Sequence, residues 1–109
     1  MASEKQFENK IKKYLKEHDA YFLKYWAGAQ FTKSGVPDIL ACVNGYFVGI
    51  EVKAQNGKPS ELQLYNIQQI RKAGGFAYVV YPSGWEKLKD VLDGFLMEKF
   101  NREGEMILK

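Results

Sequence analysis

Asp38, Glu51 and Lys53 are the residues of this 109-residue chain whose types and spacing could do chemistry together. Two carboxylates held side by side suit a hard divalent cation. Mg2+ fits such a pair because it takes few protein carboxylates and keeps waters and phosphate oxygens as its other ligands. An ammonium beside that centre can steady an attacking hydroxide or the negative charge that develops on a reacting phosphoryl group. All of this requires convergence, so the residues between them matter first.

Ile39–Val43 and Tyr46–Ile50 are apolar runs of strand composition joined by Asn44-Gly45. This is the strongest short hairpin signal, since a type I′ turn needs φ > 0 at both central residues. With a two-residue loop Val43 faces Tyr46, and counting outward sets Asp38 opposite Glu51. That pair falls at a non-hydrogen-bonded position, where Cα atoms approach to about 4.5 Å and side chains lie closest. Lys53, two residues on, shares their face. Pro37 cannot donate to a ladder and marks where pairing begins. Facing carboxylates repel, so a positive charge belongs between them: Lys53 alone, as a partly exposed charge cluster at a strand end, or a divalent cation with Lys53 beside it.

The elements around the hairpin follow from periodicity and caps. Ser3 and Gln6 form a capping box for a first helix whose stripe is Phe7, Ile11, Tyr14, Leu15 and His18, with His18 near its end as a dipole-compatible cap. Glu8 lies beside that stripe, and a pair with Lys12 one turn on would account for it without any further role. Ala20–Ala27 is aromatic and apolar and reads as a strand. The loop after it carries Gln30, Thr32, Lys33 and Ser34, all able to touch phosphate. After Lys53 comes a polar turn. Ser60 and Gln63 then cap a helix over 61–73 that stops at Gly74-Gly75, with Gln63 pointing inward toward the sheet. Phe76–Tyr81 reads as a strand, joined to the previous one by a parallel crossover. Ser83 is expected to cap a last helix over about 84–99. The order is αβββαβα: an α/β chain with a mixed sheet and helices on both faces.

Composition sets the frame. With 46% hydrophobic and 27% charged residues the chain is of ordinary globular type, and its length suits one domain over 1–109. No stretch is apolar enough to span a membrane, and the first residues lack the apolar core of a signal peptide, so a cytoplasmic protein, of a bacterial or virus-infected cell, is expected. The single Cys42 is expected to be packing, and one cysteine with one histidine excludes a zinc or disulfide framework. A net charge of +3 permits nucleic-acid binding. Lys10, Lys12, Lys13 and Lys16 crowd the first helix, while Lys33, Lys53 and Lys58 flank the carboxylates, which is the setting a phosphodiester requires. An ordinary solvated lysine face accounts for the first four equally well.

Pro37-Asp38, a gap of twelve residues, and Glu51-Val52-Lys53 resemble the PD-(D/E)XK nuclease signature. Gly35-Val-Pro-Asp38, Glu51-Val-Lys-Ala54 and Ser60-x-x-Gln63 resemble its VRR-NUC branch, over about residues 4–82, with a C-terminal helix and tail, 83–109, outside it. The resemblance implies a restriction-endonuclease-like core and a metal-dependent nuclease using Mg2+ or Mn2+ and no organic cofactor. Asp38, Glu51, Lys53 and Gln63 would carry catalysis, and Glu8, Asp38, Glu51 and the carbonyl of Val52 the metal. Lys33, Ser34, Lys58 and Lys12 would meet DNA. Single-domain members of this size resemble virus-type resolvases of branched DNA such as Holliday junctions. Two symmetric cuts then imply a homodimer, with Tyr25, Trp26 and the tail as candidate contacts. A non-catalytic nucleic-acid-binding or assembly module, or an RNA-directed or exonucleolytic enzyme, is the alternative that the residues leave open.

Overall fold

The structure, a computed structural model, describes residues 3–26, 33–98 and 106–107. Its elements are α1 (Glu4–Glu17), β1 (Tyr21–Lys24), β2 (Ile39–Val43), β3 (Tyr46–Val52), α2 (Glu61–Lys72), β4 (Phe76–Val80) and α3 (Trp85–Met97), with one 3-10 turn at Pro82–Gly84. Both expected capping boxes are present, Ser3 with Gln6 and Ser60 with Gln63. His18 closes α1, its Nδ1 lying 2.8 Å from the Tyr14 carbonyl. Past the end of α2, Gly74 adopts φ +94°, a conformation open to glycine at little cost.

The four strands form one sheet in the order β1-β2-β3-β4, the first three antiparallel and β4 parallel to β3. Asn44 and Gly45 take φ of 48° and 88°, as a type I′ turn requires. Val43 pairs with Tyr46 and Ile39 with Ile50, so the register is the one counted from the sequence. Alternation then sorts the side chains. Ile39, Ala41, Val43, Val48, Ile50 and Val52 face a core closed by Phe7, Ile11 and Leu15 of α1 and by Leu88, Leu92 and Phe95 of α3. The opposite face belongs to α2. There Gly49 admits close approach: a Cβ on it would come within 3.0 Å of Ile70 Cδ1 and 3.1 Å of Pro37 Cγ. This mixed sheet flanked by helices is consistent with the restriction-endonuclease-like fold.

Three expectations need correction. Ser83 does not cap α3, which starts after the 3-10 turn with no side-chain cap; Ser83 instead forms a reciprocal pair with Gln55, Gln55 Nε2 donating to its Oγ and its N–H donating to Gln55 Oε1, each at 3.0 Å. Cys42 is exposed rather than packed, because it alternates onto the sheet face turned from the core, where α2 lies over β3 and β4 instead. The first strand ends at Lys24, although one further bond runs from the Tyr25 N–H to the Asp38 carbonyl, at 2.8 Å; Ala27 lies outside the described residues. Among the described residues no helix is long and apolar enough to cross a membrane.

Candidate active site

Asp38 stands one residue before β2, at the open end of the hairpin. Its Oδ2 accepts the Val52 N–H at 2.8 Å, so the backbone of the partner strand holds the carboxylate in place. Across from it Glu51 is only 2% exposed. Its Oε2 accepts a hydrogen bond from Gln63 Nε2 at 3.2 Å and lies 3.6 Å from Lys53 Nζ. Its Oε1 is buried without a hydrogen-bond partner among the described residues. Burial, then the neighbouring Asp38 carboxylate, push the Glu51 pKa up to about 8 against the opposing pull of Lys53. A buried acid beside a second acid, with one oxygen unspent, is short of positive charge. This donor set fits a hard cation, since carboxylate oxygens are its preferred ligands.

Each of these side chains has a local reason for its position. Lys53 is tied into the sheet by its N–H to the Val80 carbonyl at 3.0 Å, which keeps it beyond β3 beside Glu51. Gln63 serves two ends: its Oε1 caps α2 by accepting the Ser60 N–H at 2.8 Å while its amide nitrogen reaches Glu51. The turn after Lys53 is fastened to the far end of the sheet by the Gln55–Ser83 pair and by the Tyr81 hydroxyl donating to the Gly57 carbonyl at 2.9 Å. Lys58 stands exposed on that turn.

Glu8 is buried in α1 and meets the carboxylate pair through a lysine. Lys24 touches it, Lys12 Nζ lies 2.9 Å from its Oε2, and Lys5 Nζ lies 3.4 Å from the same oxygen. Burial alone would raise its pKa, but Lys24 and Lys12 outweigh that and hold it down to about 2. Among the described residues no group of three or more His, Cys, Asp or Glu side chains gathers into a metal site. What joins Glu8 to the site is Lys24, whose ammonium also lies 3.5 Å from Asp38 Oδ1. Sequence reasoning passed over this lysine. Its place follows from the pairing of Lys24 with Ile39, next to Asp38, and the connection between β1 and β2 is too long to announce that register.

The expected DNA contacts divide. Lys33 and Ser34 are exposed beside the Asp38 strand, whereas Lys12 is engaged by Glu8; Gln30 and Thr32 lie outside the described residues. Tyr25 is half-buried, with its hydroxyl on the Lys33 carbonyl, and Trp26 is 71% exposed.

The family model described as archaeal Holliday junction resolvase (hjc) matches residues 2–102. A search of curated proteins returns no match.

Proposed function

Since this chain belongs to the archaeal Holliday junction resolvase family, structure-specific nucleases of branched DNA, we propose that Asp38, Glu51 and Lys53 are its hydrolytic centre, with Gln63 in support. The observation that carries the reading is Oε1 of Glu51, buried beside Asp38 and without a hydrogen-bond partner among the described residues. Asp38 and Glu51, with the Val52 carbonyl, would hold Mg2+ or Mn2+, which when bound supplies Lewis acidity at the phosphoryl oxygen and a water of lowered pKa. The Val52 N–H keeps Asp38 Oδ2 in place, and Oδ1 lies 3.5 Å from Lys24 Nζ. Gln63 donates to Glu51 Oε2 and so turns the other oxygen free. Lys53, close to Glu51, offers its ammonium to the charge that grows on the phosphoryl group. Exposed Lys33, Ser34 and Lys58 would take flanking phosphates, and their loss would weaken binding across all sequences alike.

The narrower likeness to VRR-NUC proteins rests on the Gly35-Val-Pro-Asp38 and Glu51-Val-Lys-Ala54 wording. A four-way junction has twofold symmetry and needs two cuts, so a homodimer is the functional form, with Trp26 and the tail, where Met106 and Ile107 are exposed, among its contacts. A substrate of this kind places the protein inside the cell. The test is a synthetic four-way junction incubated with Mg2+: symmetric cleavage is expected, and cleavage that survives Asp38→Ala or Lys53→Ala would sink the assignment. Sedimentation with and without the junction checks the dimer.

A further inference from the structure

Lys53 is not held by its own ion pair. Its Nζ lies 3.6 Å from Glu51 Oε2, beyond hydrogen-bond range, at the end of a flexible four-carbon stem. Yet the side chain is only 15% exposed, so the direction of the ammonium is set by what packs against that stem. One neighbour is the backbone of the turn that follows it. The Gly57 N–H donates to the Ala54 carbonyl at 2.9 Å and folds the turn back, and a Cβ built on Gly57 would stand 3.6 Å from Lys53 Cδ, in van der Waals contact. What seats the turn comes from one short segment at the end of β4. The Val80 carbonyl accepts the Lys53 N–H, the Tyr81 hydroxyl donates to the Gly57 carbonyl at 2.9 Å, and Ser83 exchanges two hydrogen bonds with Gln55. None of residues 54–59 is buried, and Gln55, Asn56 and Lys58 are exposed, so these ties add nothing to the core.

We propose that Tyr81 is a positioning residue of the hydrolytic centre: by seating Gly57 against the Lys53 stem, it aims the ammonium at Glu51 and at the phosphoryl group. The inference rests on the reading of Lys53 as part of that centre. Tyr81 touches neither carboxylate of the pair and acts only through the turn. The same turn carries the exposed Lys58, so the rival account has Tyr81 presenting Lys58 to a phosphate of the DNA. The two accounts separate cleanly, because the first concerns the rate of the bound complex and the second the strength of binding.

The experiment is single-turnover cleavage of a synthetic four-way junction in Mg2+ by the full chain. The protein is varied in excess, so that the limiting rate and the half-saturating concentration are read separately. Tyr81→Phe removes only the hydroxyl and should lower the limiting rate about tenfold while leaving half-saturation unchanged. Gln55→Ala, which cuts the second tie, should lower the rate severalfold in the same way. Calorimetric titration of Tyr81→Phe with Mn2+ alone should give the affinity of the unmodified chain, since Lys53 is not among the ligands. Thermal melts show which variants fold at the assay temperature, and Gln55→Ala decides the matter should Tyr81→Phe not fold. A raised half-saturating concentration overturns the inference in favour of Lys58 and the DNA. An unchanged limiting rate overturns it as well. So does a rate loss matched by an equal weakening of Mn2+ binding, because the site as a whole has then shifted. Full-rate cleavage by Lys53→Ala, or no Mn2+ binding by the unmodified chain, overturns the hydrolytic centre itself, and the inference with it.

Discussion

Glu8 and Glu51 are glutamates of nearly equal burial, at 4% and 2% exposure, yet they sit at opposite ends of the carboxylate range, about 2 for Glu8 and about 8 for Glu51. Glu8 is surrounded by the ammonium groups of Lys5, Lys12 and Lys24, while Glu51 has one lysine, one amide and a second carboxylate. Burial raises the pKa of both, and the partners decide where each ends. Glu8 is thus matched by ammonium groups of the protein itself. The hairpin side is left short of charge, which is the condition for taking a cation from solution.

The comparison can be broken most severely at Asp38. Asp38→Asn keeps the shape of the pair but removes the charge, and junction cleavage in Mg2+ should fall by about a thousandfold or more, read from initial rates. Stability should then separate the two glutamates by sign. Glu8→Gln strands Lys24 and Lys12 and should cost about 2–3 kcal/mol in denaturant unfolding. Glu51→Gln removes the cost of burying an ionisable acid beside Asp38 and should stabilise the metal-free protein while abolishing its stabilisation by Mn2+.

Their pH dependences should also be opposite. Glu51 has a folded pKa raised above the ordinary value of 4.5, so the folded state holds a proton that the unfolded chain gives up; its contribution is full below that value and is lost as pH rises through about 8. Glu8 has a lowered folded pKa, so its contribution is present above 4.5 and is lost as pH falls toward about 2. Melting temperatures of the metal-free protein should decline on both limbs. Glu51→Gln should flatten the alkaline limb and Glu8→Gln the acid one. The smallest effect concerns the two capping boxes. Gln6→Ala and Gln63→Ala should each lose about 0.5–1 kcal/mol, but only Gln63→Ala should also slow cleavage, by about tenfold, since only Gln63 touches an acid of the site.

Much of this was legible in advance, for local reasons. The Asn44-Gly45 turn admits only one short register, so Asp38 opposite Glu51 could be counted from the turn alone. Both capping boxes are contained within four residues, and each formed as read. Ser83 misled for the opposite reason. As a serine before a helix it satisfies the local rule, but Gln55, far away in the chain, claims its hydroxyl and N–H and a 3-10 turn intervenes. Cys42 misled because strand composition does not reveal how far a helix covers the second face of a sheet.

By itself the amino-acid sequence determined the hairpin, its register and therefore the meeting of two carboxylates with Lys53, because turn chemistry and strand alternation act over a few residues and need no distant partner. Only the tertiary structure decided that Lys24 answers Glu8 as well. Lys24 lies between Glu8 and Asp38 through the pairing of β1 with β2 and the packing of α1 on the sheet. The ionisation of a buried acid is set by charges within a few ångströms of it, and chain neighbours supply only part of them: Lys24 reaches Glu8, and Asp38 and Gln63 reach Glu51, from distant parts of the chain.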